Sequence, residues 1–96
     1  MERKWFRKLS VRERIKFDIL STDTDRDAFR ILRNWSQTDS PDFKVRRNSL
    51  AERLCVVPNT AGSIRIRFCS IGIMRQTAEY VPRQLCARYE WTANNP

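Results

Sequence analysis

Histidine is absent from this 96-residue chain, and glycine occurs only as Gly62 and Gly72. Without histidine, the usual general base of acid–base and nucleophilic chemistry is missing, and a common zinc set cannot be completed. Two isolated glycines cannot build a Gly-rich phosphate loop. Cysteine is scarce too: Cys55, Cys69 and Cys86 are odd in number and form no C-x-x-C pair. They read as buried free thiols in a reducing compartment rather than as a disulfide framework. No apolar run approaches the length of a membrane span, and no charged-then-apolar leader precedes a small-residue cleavage site. A soluble, cytoplasmic protein is expected. Neither an enzyme nor a cofactor, metal site or small-molecule ligand is indicated.

Acidic side chains are also in deficit. Eleven Asp and Glu stand against nineteen Lys and Arg, a net charge of +8. A small domain this basic is expected to meet a polyanion, with solubility alone as the plainer alternative. Most of the cations are Arg, whose planar fork matches phosphates and guanine edges, so nucleic acid is favoured. Hydrophobic residues at 41% suit a globular fold, and the length allows one domain with a modest core.

Seven cations fall within the first sixteen positions, interleaved with Trp5, Phe6, Leu9 and Ile15. Ser10 and Glu13 have capping-box spacing, which predicts a helix over residues 10 to 20. A short helical turn is expected over residues 2 to 8. Such a basic amphipathic segment suits a membrane surface or a partner groove. The reading favoured here is that its apolar face packs on the domain. Residues 1 to 22 are therefore taken as a basic amphipathic helical extension.

Ser21 to Asp25 is a polar break in which Thr24 is placed to cap a helix over residues 25 to 36. Pro41 closes the following turn, and residues 43 to 45 are long enough only for a short strand. Ser49 and Glu52 repeat the capping-box spacing, so a third helix is expected over residues 49 to 54. Pro58 suits the first turn of a fourth. Within that helix Ala61, Ile64, Phe68 and Ile71 form one stripe, and Gly72 ends it. Strands are expected over residues 73 to 77 and 87 to 91, joined by a long loop over 78 to 86. The tail TANNP is expected to be loose.

The order helix, short strand, helix, tight turn, helix, strand, strand resembles the winged helix-turn-helix family. The residues carrying the resemblance are Leu50, Ala51, Leu54, Val56, Ala61 and Ile64, and it covers about residues 24 to 92. It implies a mainly α fold with a small β-hairpin (α+β), the domain spanning residues 23 to 93. The recognition helix would occupy about 58 to 71 and the wing about 73 to 91. Two positions depart from the family pattern. Cys55 stands where glycine is usual, at a place that often needs a left-handed backbone, and Val57 stands where a Ser or Thr cap is usual.

The resemblance implies a non-catalytic, sequence-reading partner of double-stranded DNA, with the recognition helix in the major groove. On a 3.6-residue wheel, Asn59, Gly62, Ser63, Ile66 and Ser70 lie opposite the apolar stripe, with Thr60, Arg65 and Arg67 on the flanks. Asn59, Thr60, Ser63, Ile66 and Arg67 are the candidate base contacts. Lys44, Arg46, Arg47, Arg65, Arg75, Arg83 and Arg88 are the candidate phosphate contacts. The plainer alternative is a solvated polar face. Trp35, Phe43, Phe68, Tyr89 and Trp91 read as core rather than base-stacking platforms. A small transcription regulator, with a homodimer through the N-terminal helices, is the leading expectation. The alternatives are a module of a DNA replication or mobile-element protein, a protein-interaction winged helix, and an RNA binder using the wing and basic N-terminus.

Overall fold

The computed structural model describes residues 7–39, 42–81 and 86–95. Among them are four helices and three strands: α1 (Val11–Ile19), α2 (Asp23–Thr38), β1 (Phe43–Arg46), α3 (Arg47–Leu54), α4 (Pro58–Ser70), β2 (Met74–Val81) and β3 (Cys86–Trp91). Most of the expected turn over residues 2 to 8 lies outside the described residues.

Helix α1 begins as its spacing predicts. The Ser10 hydroxyl accepts from the Glu13 N–H at 3.1 Å, and Glu13 Oε1 accepts from the Ser10 N–H at 2.9 Å. The expected caps of the next two helices are corrected. Thr22, not Thr24, caps α2 by accepting from the Asp25 N–H, so the helix starts earlier and runs to Thr38. Ser49 and Glu52 form no capping box, because α3 starts at Arg47 directly from β1. The strand delivers its last residue, Arg46, as the N-cap, so no side chain closes that end.

Two helices end in left-handed turns of Schellman form. At the end of α3, Cys55 has φ 57° and ψ 43°. The N–H groups of Val56 and Cys55 bond the carbonyls of Ala51 and Glu52 at 3.0 and 3.2 Å. After α4, Gly72 has φ 83°, and Ile73 and Gly72 bond back to Phe68 and Cys69 at 2.9 and 3.2 Å. Ile73 and Phe68 are both buried, which supplies the apolar contact such an ending favours.

The sheet exceeds the expected hairpin. β1 joins it, giving the antiparallel order β1-β3-β2, with Phe43 opposite Tyr89 and Lys44 opposite Arg88. β2 runs on to Val81 through two register shifts, so the connection is much shorter than the expected loop over 78 to 86. The molecule is thus an α+β domain in which a three-stranded sheet takes the place of the expected two-stranded hairpin. The tail also packs: Ala93 is buried, and the Thr92 hydroxyl donates to the Gly72 carbonyl at 2.8 Å.

Phe29, Leu32, Leu50, Ile64, Phe68, Phe43, Val45, Tyr89 and Met74 form the core between the helices and the inner face of the sheet. Trp35 and Trp91 pack against it, half-buried, as the reading of the aromatics as core requires. Leu9, Phe17 and Leu20 fasten α1 to the same core, with Phe17 and Trp91 edge-on to Phe29. The expected packing of α1 is nevertheless only half correct. Its buried side carries Glu13, which accepts from Arg33 Nε at 2.9 Å and from the Trp91 indole at 2.8 Å. Those bonds fix the roll of the helix, and Val11, Ile15 and Ile19 are turned to solvent.

Candidate nucleic-acid interface

Helix α4 presents two unlike sides. Ala61, Ile64 and Phe68 are buried, with Ile71 half-buried just beyond the helix, as the 3.6 period requires. Asn59, Thr60, Ser63 and Ile66 are exposed, and α4 contains no acidic residue. Ile66 keeps 66% of its surface in water. The N-terminus has Pro58 in its first turn and no side-chain cap from Val57; the Thr60 and Ala61 N–H groups donate to the Val57 carbonyl at 3.0 and 3.3 Å, which leaves the Asn59 N–H for water or an anion. The Ser63 hydroxyl donates to the Asn59 carbonyl at 3.2 Å, leaving its oxygen as an acceptor toward solvent.

Gly62 matters through closeness. A Cβ there would stand 3.4 Å from Arg47 Cδ, so the Arg47 side chain lies across α4 at this glycine. That contact brings the first residue of α3 beside the exposed face of α4. Lys44 and Arg46 point outward from β1, alternating with buried Phe43 and Val45. Among the described residues, Lys44, Arg46 and Arg47 have no carboxylate within ion-pair distance.

The other candidate cations are differently placed. Arg67 Nη2 lies 2.6 Å from Asp25 Oδ1, so this candidate base contact is held against α2. Arg65, half-buried, lies close enough to Tyr89 for its charge to act on the phenol. Burial pushes the Tyr89 phenol up, and the Arg65 guanidinium acts in the opposite direction. Arg75 pairs with Glu90 across β2 and β3, with Nε at 2.8 Å from Oε1. Arg88 Nη2 reaches Asp42 Oδ1 at 2.8 Å, and the Thr77 hydroxyl donates to the same carboxylate at 3.2 Å. The Arg88 hydrogen bond holds the Asp42 carboxyl below its usual range, against a small opposing effect of burial. Arg75 and Arg88, counted as free phosphate contacts from sequence, are therefore already charge-compensated. Arg83 lies outside the described residues.

Nothing local in the sequence marks the carboxylates that compensate these cations. Asp25 is 42 residues from Arg67, and Asp42 is 46 from Arg88. Only the pairing register of β2 and β3 could have revealed Arg75 with Glu90.

Of the thiols, Cys69 is half-buried and its pKa is raised by burial, with Arg65 acting against this. Cys55 is exposed, which corrects the expectation of burial; its left-handed turn faces it outward. Among the described residues, no three His, Cys, Asp or Glu side chains come close enough to hold a metal ion. No helix there is long and apolar enough to cross a membrane. Comparison with family models, curated proteins and solved structures finds no match to this chain.

Proposed function

We propose that the protein is a winged helix-turn-helix domain that binds duplex DNA without catalysis, with α4 as its recognition helix. The order α2, β1, α3, α4, β2, β3 supports this reading, as does the left-handed residue between α3 and α4. The observation that carries it is the acid-free exposed face of α4, bordered by Arg47 where it crosses Gly62. An α-helix fits the major groove, and Asn59 and Ser63 offer groups that suit base edges, while Ile66 suits a thymine methyl. Lys44, Arg46 and Arg47 supply phosphate contacts that fix position without reading sequence. Use as a small transcription regulator is the narrower form of the same proposal.

Binding to duplex, single-stranded DNA and RNA across a salt series tests it. With about three phosphates held by those cations, log affinity should fall against log salt with a slope near −3 for duplex. Preference for RNA or single strands, or a flat salt response, would overturn the proposal. Selection of sites from random duplexes then tests sequence reading, and recovery of no common site would leave phosphate holding alone.

A further inference from the structure

The aliphatic row on α1 is the feature the DNA reading leaves unused. Val11, Ile15 and Ile19 recur every four residues and are 71%, 58% and 56% exposed. One of them, Ile15, helps line an open cleft of about 620 Å³ between α1, the end of α4 and the start of β2. Cys69 and Met74 add apolar surface to the cleft, and Arg12, Lys16 and Arg75 bring cations to it. Among the described residues, no Asp or Glu lines it.

Its charge is built in. Lys16 Nζ donates to the Ile71 carbonyl at 2.6 Å and passes so close to Gly72 that a Cβ there would stand 3.1 Å away. Gly72, at φ 83°, thus both ends α4 and makes room for this ammonium. Neither Arg12 nor Lys16 has a carboxylate partner among the described residues, whereas Arg75 shares its charge with Glu90. β2, which forms one wall, is an edge strand, so the outer side of its backbone is unpaired within the sheet.

We propose that this cleft and the adjoining aliphatic row dock an acidic segment of a partner protein, with apolar side chains entering beside Ile15 and carboxylates meeting Arg12 and Lys16. A nucleic-acid backbone would satisfy the cations and leave three exposed aliphatic residues uncovered. A second copy of this chain would cover the aliphatics and crowd Arg12, Arg14 and Lys16 against the same cations. A segment bearing both carboxylates and apolar side chains answers both demands. The surface lies at the C-terminal end of α4, away from Asn59 and Gly62 near its start, so docking need not compete with DNA.

The test uses the full chain and a fluorescent synthetic peptide in which leucine and glutamate alternate. Binding is expected, with no binding of peptides carrying lysine for glutamate or serine for leucine. Arg12→Glu and Ile15→Ser, both at exposed positions, should each weaken it about tenfold while circular dichroism and duplex affinity stay unchanged. Four outcomes would overturn the proposal: no binding, equal binding of the serine peptide, indifference to both variants, or loss of duplex affinity in both. So would sedimentation showing a dimer that Ile15→Ser splits, since the row would then be covered by a second copy.

Discussion

Arg67 reaches from the flank of α4 to Asp25 in the first turn of α2, Nη2 to Oδ1 2.6 Å, while 49% of its side chain stays exposed. The carboxylate is buried and sits at the positive end of α2, so it is held from two directions. This pair occupies a cation that would otherwise stand free beside Ser63.

Replacing Asp25 with Asn should therefore do two opposite things. Stability should fall by about 1 kcal/mol as the pair and the helix-end charge are lost. Duplex affinity should rise, with the salt slope steeper by about one unit as Arg67 becomes available to a phosphate. Urea melts and a salt-titrated binding series check the two effects separately. An unchanged slope would show that Arg67 does not reach DNA.

Cys55 carries the backbone cost of the turn between α3 and α4. Cys55→Gly should stabilise the protein by about 0.5 to 1 kcal/mol, the relief of a left-handed residue less the added freedom of the unfolded chain. Cys55→Ala keeps a Cβ and should show no such gain. Denaturant midpoints of the two variants decide the matter.

Glu13 makes stability depend on acid. Burial raises its pKa, but the Ser10 N–H, Arg33 and Trp91 together bring it below the ordinary value of 4.5. The folded value lies under the unfolded one, so the unfolded chain takes the proton first. Stability is then fully present above pH 4.5 and is lost as pH falls through the folded value. Asp42, held down by Arg88, acts in the same direction. Glu13→Gln should cost about 2 kcal/mol at neutral pH and flatten the acid limb of the curve, read from urea midpoints between about pH 7 and pH 3.

Base reading and phosphate holding should separate by variant. Asn59→Ala or Ser63→Ala should cost about 1 to 3 kcal/mol on a selected duplex and little on random DNA. Arg47→Ala should weaken all duplexes alike and shallow the salt slope by about one unit. Arg75→Ala should change the slope less, because Glu90 already compensates that cation. Competition between selected and random duplexes distinguishes these outcomes. Helix variants behaving like Arg47→Ala would remove base reading from α4.

Much of the framework was legible because it is local. The Ser10–Glu13 box, Pro58 in the first turn of α4, the stripe through Ala61, Ile64 and Phe68, and the stop at Gly72 each depend on residues within a few positions of one another. The left-handed backbone at Cys55 was implied in a different way, by the resemblance to a family that usually has glycine there. Side-chain period and cap chemistry act over one or two helical turns, a range that a sequence displays directly.

Local residue patterns are enough to assign which segments form helices, which side of α4 is apolar, and the excess of positive charge. Which of those charges remain available, and which way α1 faces, is set by contacts between distant segments. Arg67, Arg75 and Arg88 look like Lys44, Arg46 and Arg47 in sequence, and they differ because packing and strand register bring Asp25, Glu90 and Asp42 beside them. Val11, Ile15 and Ile19 look like a core stripe and lie outside, because Glu13 meets Trp91 across 78 residues of chain and turns the helix. An ion pair draws its stabilisation from proximity in space, and proximity between distant residues exists only once the chain has folded.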